Sequence, residues 1–149
     1  MNESRISTPI GVLEVHDDGE QILAVVFSNH QQASPIVSPL AKEFLVQFEE
    51  YLAGTRKTYD IPYLINGTPF QKAVMIAMSR IPYGSTMSYG ELARAAGYPN
   101  AYRAVGTVCA TNALPFLLPC HRVIQAGGKM GLYGGGESLK RRLLDLEKA

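Results

Sequence analysis

At 149 residues, with 46% hydrophobic and 18% charged residues, the chain has the size and balance of a compact globular protein. No apolar run reaches the length of a membrane-spanning helix, which excludes a helical membrane protein. The formal net charge of +1 hides an asymmetry: from Arg80 onward there are nine Lys and Arg against four acids, and before it five against nine. The second half is therefore expected to meet an anion, nucleic acid first among them, with a solvated basic helix as the plainer reading.

The N-terminal MNESRISTPIG lacks the basic-then-apolar run of a secretory signal, so the expected location is cytoplasmic and reducing. Cys109 and Cys120 are then two free thiols, too few for a four-cysteine zinc site, and no metal is expected.

In chain order, PIGVLEVHDDGEQILAVVFS sets two apolar segments around Asp18-Gly19, the pattern of a β-hairpin in a small sheet. SPLAKEFLVQFEEYLA places Leu40, Phe44, Leu45, Phe48 and Leu52 on one helical stripe that should pack on that sheet, ending at Gly54. The polar, turn-rich GTRKTYDIPYLING reads as a link between two subdomains, an N-terminal one over 1–66 and a second over 67–149. TPFQKAVMIAMSRI reads as a helix with Phe70, Val74 and Met78 inward, ended by Pro82-Tyr83-Gly84.

MSYGELARAAGYPNAYRAVGTVCATN follows. Ser88 with Glu91 forms a capping box for a first helix, Gly97 ends it, and Asn100 can cap a second helix from Ala101 to about Thr111. Two short helices across a tight turn make helix-turn-helix geometry, either plain scaffold or a DNA reader. Phe116-Leu117-Leu118 is expected to be a short buried segment delivering Pro119-Cys120, followed by the glycine-rich AGGKMGLYGGG and a final helix in ESLKRRLLDLEK.

A thiol is a strong nucleophile only as the thiolate, which needs a base, a cation or a helix N-terminus nearby. His121 is the neighbouring base, acting through a bridging water on an extended segment, or directly at a sharp turn. Glu147 could then orient the imidazole, in the order Cys, His, Glu. The plainer reading makes Cys120 a small buried side chain and Glu147 a solvated charge at a helix end.

The residues around the pair decide between these. Pro119-Cys120-His121-Arg122-Val123, together with GTPFQ, IPYGSTMSYGELA, the RAVG of 103–106, Asn112 and the closing LL-x-x-E around Leu143 and Glu147, resembles the O6-alkylguanine-DNA alkyltransferases, also called methylated-DNA–protein-cysteine methyltransferases. The likeness spans essentially the full chain, faintly before Gly67 and strongly after it.

That resemblance implies an α/β (α+β) protein: a small antiparallel sheet with a helix, ribonuclease H-like, then a mainly helical domain with a winged-helix-like helix-turn-helix. It implies a DNA repair methyltransferase without cofactor, a monomer acting on double-stranded DNA that contains O6-alkylguanine, and on O4-alkylthymine. Cys120 would take the alkyl group irreversibly, once per molecule, after the damaged base is flipped from the stack. His121 and Glu147 would activate it, Asn112 would brace its turn, and Tyr89 would donate a hydrogen bond to the leaving base.

By the same resemblance Arg103 is the finger that fills the vacated stack, on a helix lying in the minor groove, where Ala101, Ala104 and Gly106 permit close approach beside Tyr102. Val123 would read the base through its carbonyl and Gly134 through its amide, while Tyr133 and Pro115 wall the pocket; Arg122 would be structural. The chain departs from the common pattern at Ala113 after Asn112, at Gly134 where serine is usual, at Leu132 and at Tyr102, which bears on substrate range rather than reaction type. Two other classes compete: a non-catalytic alkylguanine sensor, whose kind lacks the cysteine, and a thiol hydrolase, which would turn over.

Overall fold

Alternating apolar side chains build a three-stranded antiparallel sheet in the order β1 (Asn2–Thr8), β2 (Gly11–Asp17), β3 (Ile22–Phe27), with Ile6, Leu13, Val15, Ile22 and Val25 buried. In this computed structural model, which describes residues 1–131 and 133–148, the chain divides into two compact units, Met1–Leu64 and Ile65–Ala149. The expected hairpin is β2–β3; β1 joins its other edge and was not anticipated.

Helix α1 (Pro39–Leu52) packs on β1 and β2. Ser38 caps it, accepting from the Ala41 amide at 3.1 Å while its own hydroxyl donates to Asp17 Oδ2. The buried row is Ala41, Phe44, Phe48 and Tyr51, so the expected stripe is rotated: Leu40, Leu45 and Leu52 are only half-buried. Gln47, inside the same face, explains the rotation. Its amide holds both the N–H and the carbonyl of Asp60, at 2.8 and 3.2 Å. Residues 60–64 are thereby sewn to the first unit, where Ile22 and Tyr63 form a bridge, rather than lying free as a linker.

In the second unit α2 (Pro69–Ser79) starts with a Thr68–Gln71 capping box and buries Val74, Ala77 and Met78, with Phe70 half-buried edge-on to Tyr98. The expected box at Ser88–Glu91 opens α3 (Tyr89–Ala95), and Gly97, at φ +89°, ends it. Helix α4 spans Tyr102–Ala110; contrary to expectation Asn100 does not cap it, and Ala101 occupies the N-cap with no side-chain bond. Strands β4 (Met87–Ser88) and β5 (Val123–Ile124) pair in parallel, and α5 (Glu137–Lys148) completes a mixed α/β fold with five α-helices among the described residues. None of these helices is long and apolar enough to cross a membrane.

Candidate active site

The segment before Cys120 is buried, as expected, and it is folded as a turn. Pro115 bridges Leu118, and between them Phe116 sits at φ +74°, a left-handed conformation unusual for a residue with a side chain. Asn112 fixes this turn from inside: its side-chain amide donates to the Leu118 carbonyl at 3.0 Å, and its oxygen accepts the Leu114 amide at 3.0 Å. The chain then closes into a single 3-10 turn, Cys120–Arg122. Of the two geometries open from sequence, the sharp turn is the one present.

Cys120, His121 and Arg122 are all buried, and the two basic side chains converge on Glu147 from α5. His121 Nε2 lies 2.6 Å from Glu147 Oε2, while Arg122 donates through Nε to Oε1 at 2.8 Å and through Nη2 to Oε2 at 3.1 Å. The Gly84 amide adds a bond to Oε1 at 3.0 Å, and Arg122 Nη1 reaches the Ile81 carbonyl at 2.7 Å. One hydrogen-bonded network therefore joins the IPYG turn, the PCHR turn and the last turn of α5. A carboxylate buried with a guanidinium and four donors on its two oxygens is fully compensated.

Because a carboxylate only accepts, Glu147 assigns the Nε2 proton to His121 and leaves Nδ1 as the basic nitrogen. Burial lowers the His121 pKa, opposed by the Glu147 contacts, so the ring is neutral at neutral pH. Burial pushes the Cys120 thiol up, and Asn112, Lys140 and the amides of Cys120 and His121 offset only part of that rise.

Other expected residues gather at a cavity of about 810 Å³ between α3, α4 and the exit of β5. Tyr89, Tyr102, Arg103 and Gly106 line it, as do Arg94 and Gln125, which sequence reasoning did not single out. Arg103 is exposed, its guanidinium 5.8 Å from the Tyr102 ring centre. Ala104 is exposed on the same helix and Ala101 half-buried.

Tyr89 is tightly enclosed. A Cβ on Gly131, at φ +73°, would collide with its hydroxyl, so that position needs glycine for this approach, whereas one on Gly106 would meet the ring at 3.8 Å, an ordinary packing distance. Cys120, Val123, Tyr133, Gly134 and Pro115 are not walls of this cavity. Val123 and Pro115 are buried, Tyr133 is half-buried, Gly134 is exposed, and Leu132 lies outside the described residues.

Lys140 was also missed. It is fully buried, donates to the Val123 carbonyl at 2.5 Å and lies 5.9 Å from the Tyr89 ring centre. The available signal was its spacing: Lys140, Leu143, Leu144 and Glu147 form one i, i+3, i+4, i+7 row on α5, so Lys140 shares the inward face.

A buried cysteine beside a neutral, carboxylate-anchored imidazole, in a unit with a paired-helix cavity carrying exposed arginine, has the parts that nucleophilic thiol chemistry requires. The comparisons name the family. Residues 69–149 match the model described as 6-O-methylguanine DNA methyltransferase, DNA binding domain. The constitutive methylated-DNA–protein-cysteine methyltransferase of Bacillus subtilis is 37% identical, over 95% of this chain and 92% of the relative. Among solved structures, the Mycobacterium tuberculosis OGT in complex with DNA superposes with a TM-score of 0.87 at 38% identity, covering 97% of this chain and 91% of that one. S. pombe Atl1, in complex with damaged DNA containing O6-carboxymethylguanine, aligns with 56% of this chain and 79% of its own at 32% identity and a TM-score of 0.50. The chain belongs to the methylated-DNA–protein-cysteine methyltransferases, a family of DNA repair enzymes.

Proposed function

We propose that this protein removes the alkyl group from O6-alkylguanine, and from O4-alkylthymine, in duplex DNA and keeps it on Cys120. The observation that carries the reading is the Cys120–His121 turn with His121 held on Glu147 at 2.6 Å. His121 Nδ1 takes the proton from Sγ, by way of a water. Sulfur then attacks the alkyl carbon in line, the S–C bond forms as the C–O6 bond breaks, and the electron pair leaves with the base. Tyr89 donates a proton toward the leaving guanine, so atoms and charge balance without a cofactor. The thioether has no route back, which makes the reaction a single event per molecule.

Reaching O6 requires the nucleotide to leave the stack, and the exposed Arg103 on α4 is suited to fill the gap while α4 lies in the minor groove. Ala101, Ala104 and Gly106 keep that helix slim, and Tyr102 stacks against a sugar. The Val123 carbonyl keeps a second lone pair beside its Lys140 bond, available to the exocyclic amine of guanine. The Gly134 amide, Tyr133 and Pro115 complete the pocket. On this reading the protein is a cytoplasmic monomer whose units are ribonuclease H-like and winged-helix-like.

The test is mass spectrometry after mixing the protein with a duplex carrying one O6-methylguanine. Gain of a single methyl on the Cys120 peptide, saturating at one per protein and lost in Cys120→Ser with DNA binding retained, supports the proposal. Lesion-selective binding with no mass gain would make the protein a sensor, and turnover on small esters would make it a thiol hydrolase.

A further inference from the structure

Lysine is almost never fully buried without a partner for its charge, yet Lys140 is. Its ammonium has the Val123 carbonyl and the face of Tyr89, both neutral. Among the described residues the acid closest in the chain's own logic, Glu147, is already committed: Arg122 balances its charge, and His121 and Gly84 fill its remaining acceptor sites. With His121 neutral, the buried cluster of Lys140, Arg122, Glu147 and His121 carries one positive charge in excess.

Among the described residues, the titratable groups that face or couple to Lys140 are Tyr89 on α3, Cys109 on α4, and Cys120 and His121 on the 3-10 turn, while β5 offers the Val123 carbonyl. Lys140 couples electrostatically to both thiols. They are not equivalent. Cys109 is buried, and burial and the neighbouring Cys120 push it up to about 12, so it stays a thiol. Cys120 also receives the Asn112 side chain and the backbone amides of its own turn, donors that favour sulfur carrying charge.

We infer that Lys140 is the buried counter-charge of the Cys120 thiolate, a positioning residue that holds the pocket neutral only when Sγ has lost its proton. Ionisation breaks the S–H bond, leaves the electron pair on sulfur and passes the proton out through His121. The ammonium, anchored on the Val123 carbonyl three residues past the nucleophile, offsets the penalty that burial sets against the thiolate. This rests on the reading of Cys120 as the nucleophile, and adds a second activating group to the His121–Glu147 pair.

The experiment is the pH profile of Cys120 carboxamidomethylation by iodoacetamide, followed by mass spectrometry in a Cys109→Ala background so that a single thiol reports. Lys140→Gln is expected to raise the midpoint by roughly one unit or more and to slow modification at neutral pH about tenfold, while Lys140→Arg keeps most of the wild-type profile. Coincident profiles for Lys140→Gln and Lys140 overturn the proposal, as does Lys140→Arg behaving like Lys140→Gln, which would mark a packing role. If Lys140→Gln does not fold, NMR of isotope-labelled lysine decides with Lys140 intact. Its side-chain resonance must move with the Cys120 midpoint and stay flat over that range in Cys120→Ser; a resonance indifferent to Cys120 overturns the pairing. None of these readouts uses DNA, so a protein that fails to take methyl from DNA yet shows the Lys140 dependence refutes the proposed function and leaves the pairing standing.

Discussion

Glu147 is the residue on which the site turns, because one carboxylate takes four hydrogen bonds from two other segments. Glu147→Gln removes the charge that balances Arg122, and stranding a buried ion costs about 3–5 kcal/mol. Urea denaturation should show a loss of that order, and transfer should slow further than stability alone explains, since the His121 tautomer is no longer fixed. The buried titrating groups also set a pH window. His121 has a folded pKa below its ordinary 6.5, so its contribution is complete above 6.5 and is lost as the pH falls and the unfolded chain takes up the proton first. Cys109 behaves oppositely: raised from 9.0 to about 12, it contributes fully below 9.0 and progressively less as the pH rises between those values. Unfolding free energies measured across that alkaline range should decline less steeply in Cys109→Ala.

At the scale of elements, the two capping boxes offer a controlled comparison. Ser88→Ala and Thr68→Ala should each cost about 1 kcal/mol, since each leaves a first-turn amide without its acceptor. Only Ser88→Ala should also slow transfer, because the cap it removes positions Tyr89 at the first residue of α3. Asn100→Ala should be neutral in thermal unfolding, since α4 takes no cap from it. These cases also show what was legible beforehand. Ser88 with Glu91, and Gly97, were readable because a cap is a local agreement among four or five residues; Thr68 with Gln71 carries the same local pattern but was not singled out. The Cys-His-Glu order was readable too, and the structure brings His121 and Glu147 together as expected. The rotated stripe of α1, the turn at Phe116 and the buried Lys140 could not be read, because each depends on what another segment brings: the Asp60 backbone, the Asn112 side chain and the Val123 carbonyl. A lysine within KRR looks solvated until its neighbours on the helix face are considered.

For the whole molecule, charge divides with the fold. The second unit holds ten Lys and Arg against four acids, the first four against nine. Duplex DNA should therefore bind with marked salt dependence, about 0.9 in the log–log slope for each phosphate neutralised. Arg94→Ala, at the cavity rim, should flatten the slope by about that amount in fluorescence anisotropy. Arg103→Ala should instead leave the slope nearly unchanged and weaken discrimination between lesion and intact duplex, the signature of a stack-filling residue.

The reach of the Glu147 network across the chain governs when the protein becomes competent. Gly84, His121 and Arg122 all wait for a partner that lies 63, 26 and 25 residues further on. A nascent polypeptide that already contains the nucleophile must continue for roughly one to five seconds, at about 5–20 residues per second, before the acid that orients its base is synthesised. Until then the histidine has no fixed tautomer and the arginine no anchor. Translation products that stall before α5 are therefore expected to carry an unassisted cysteine, so reactivity arrives last, with the completed unit.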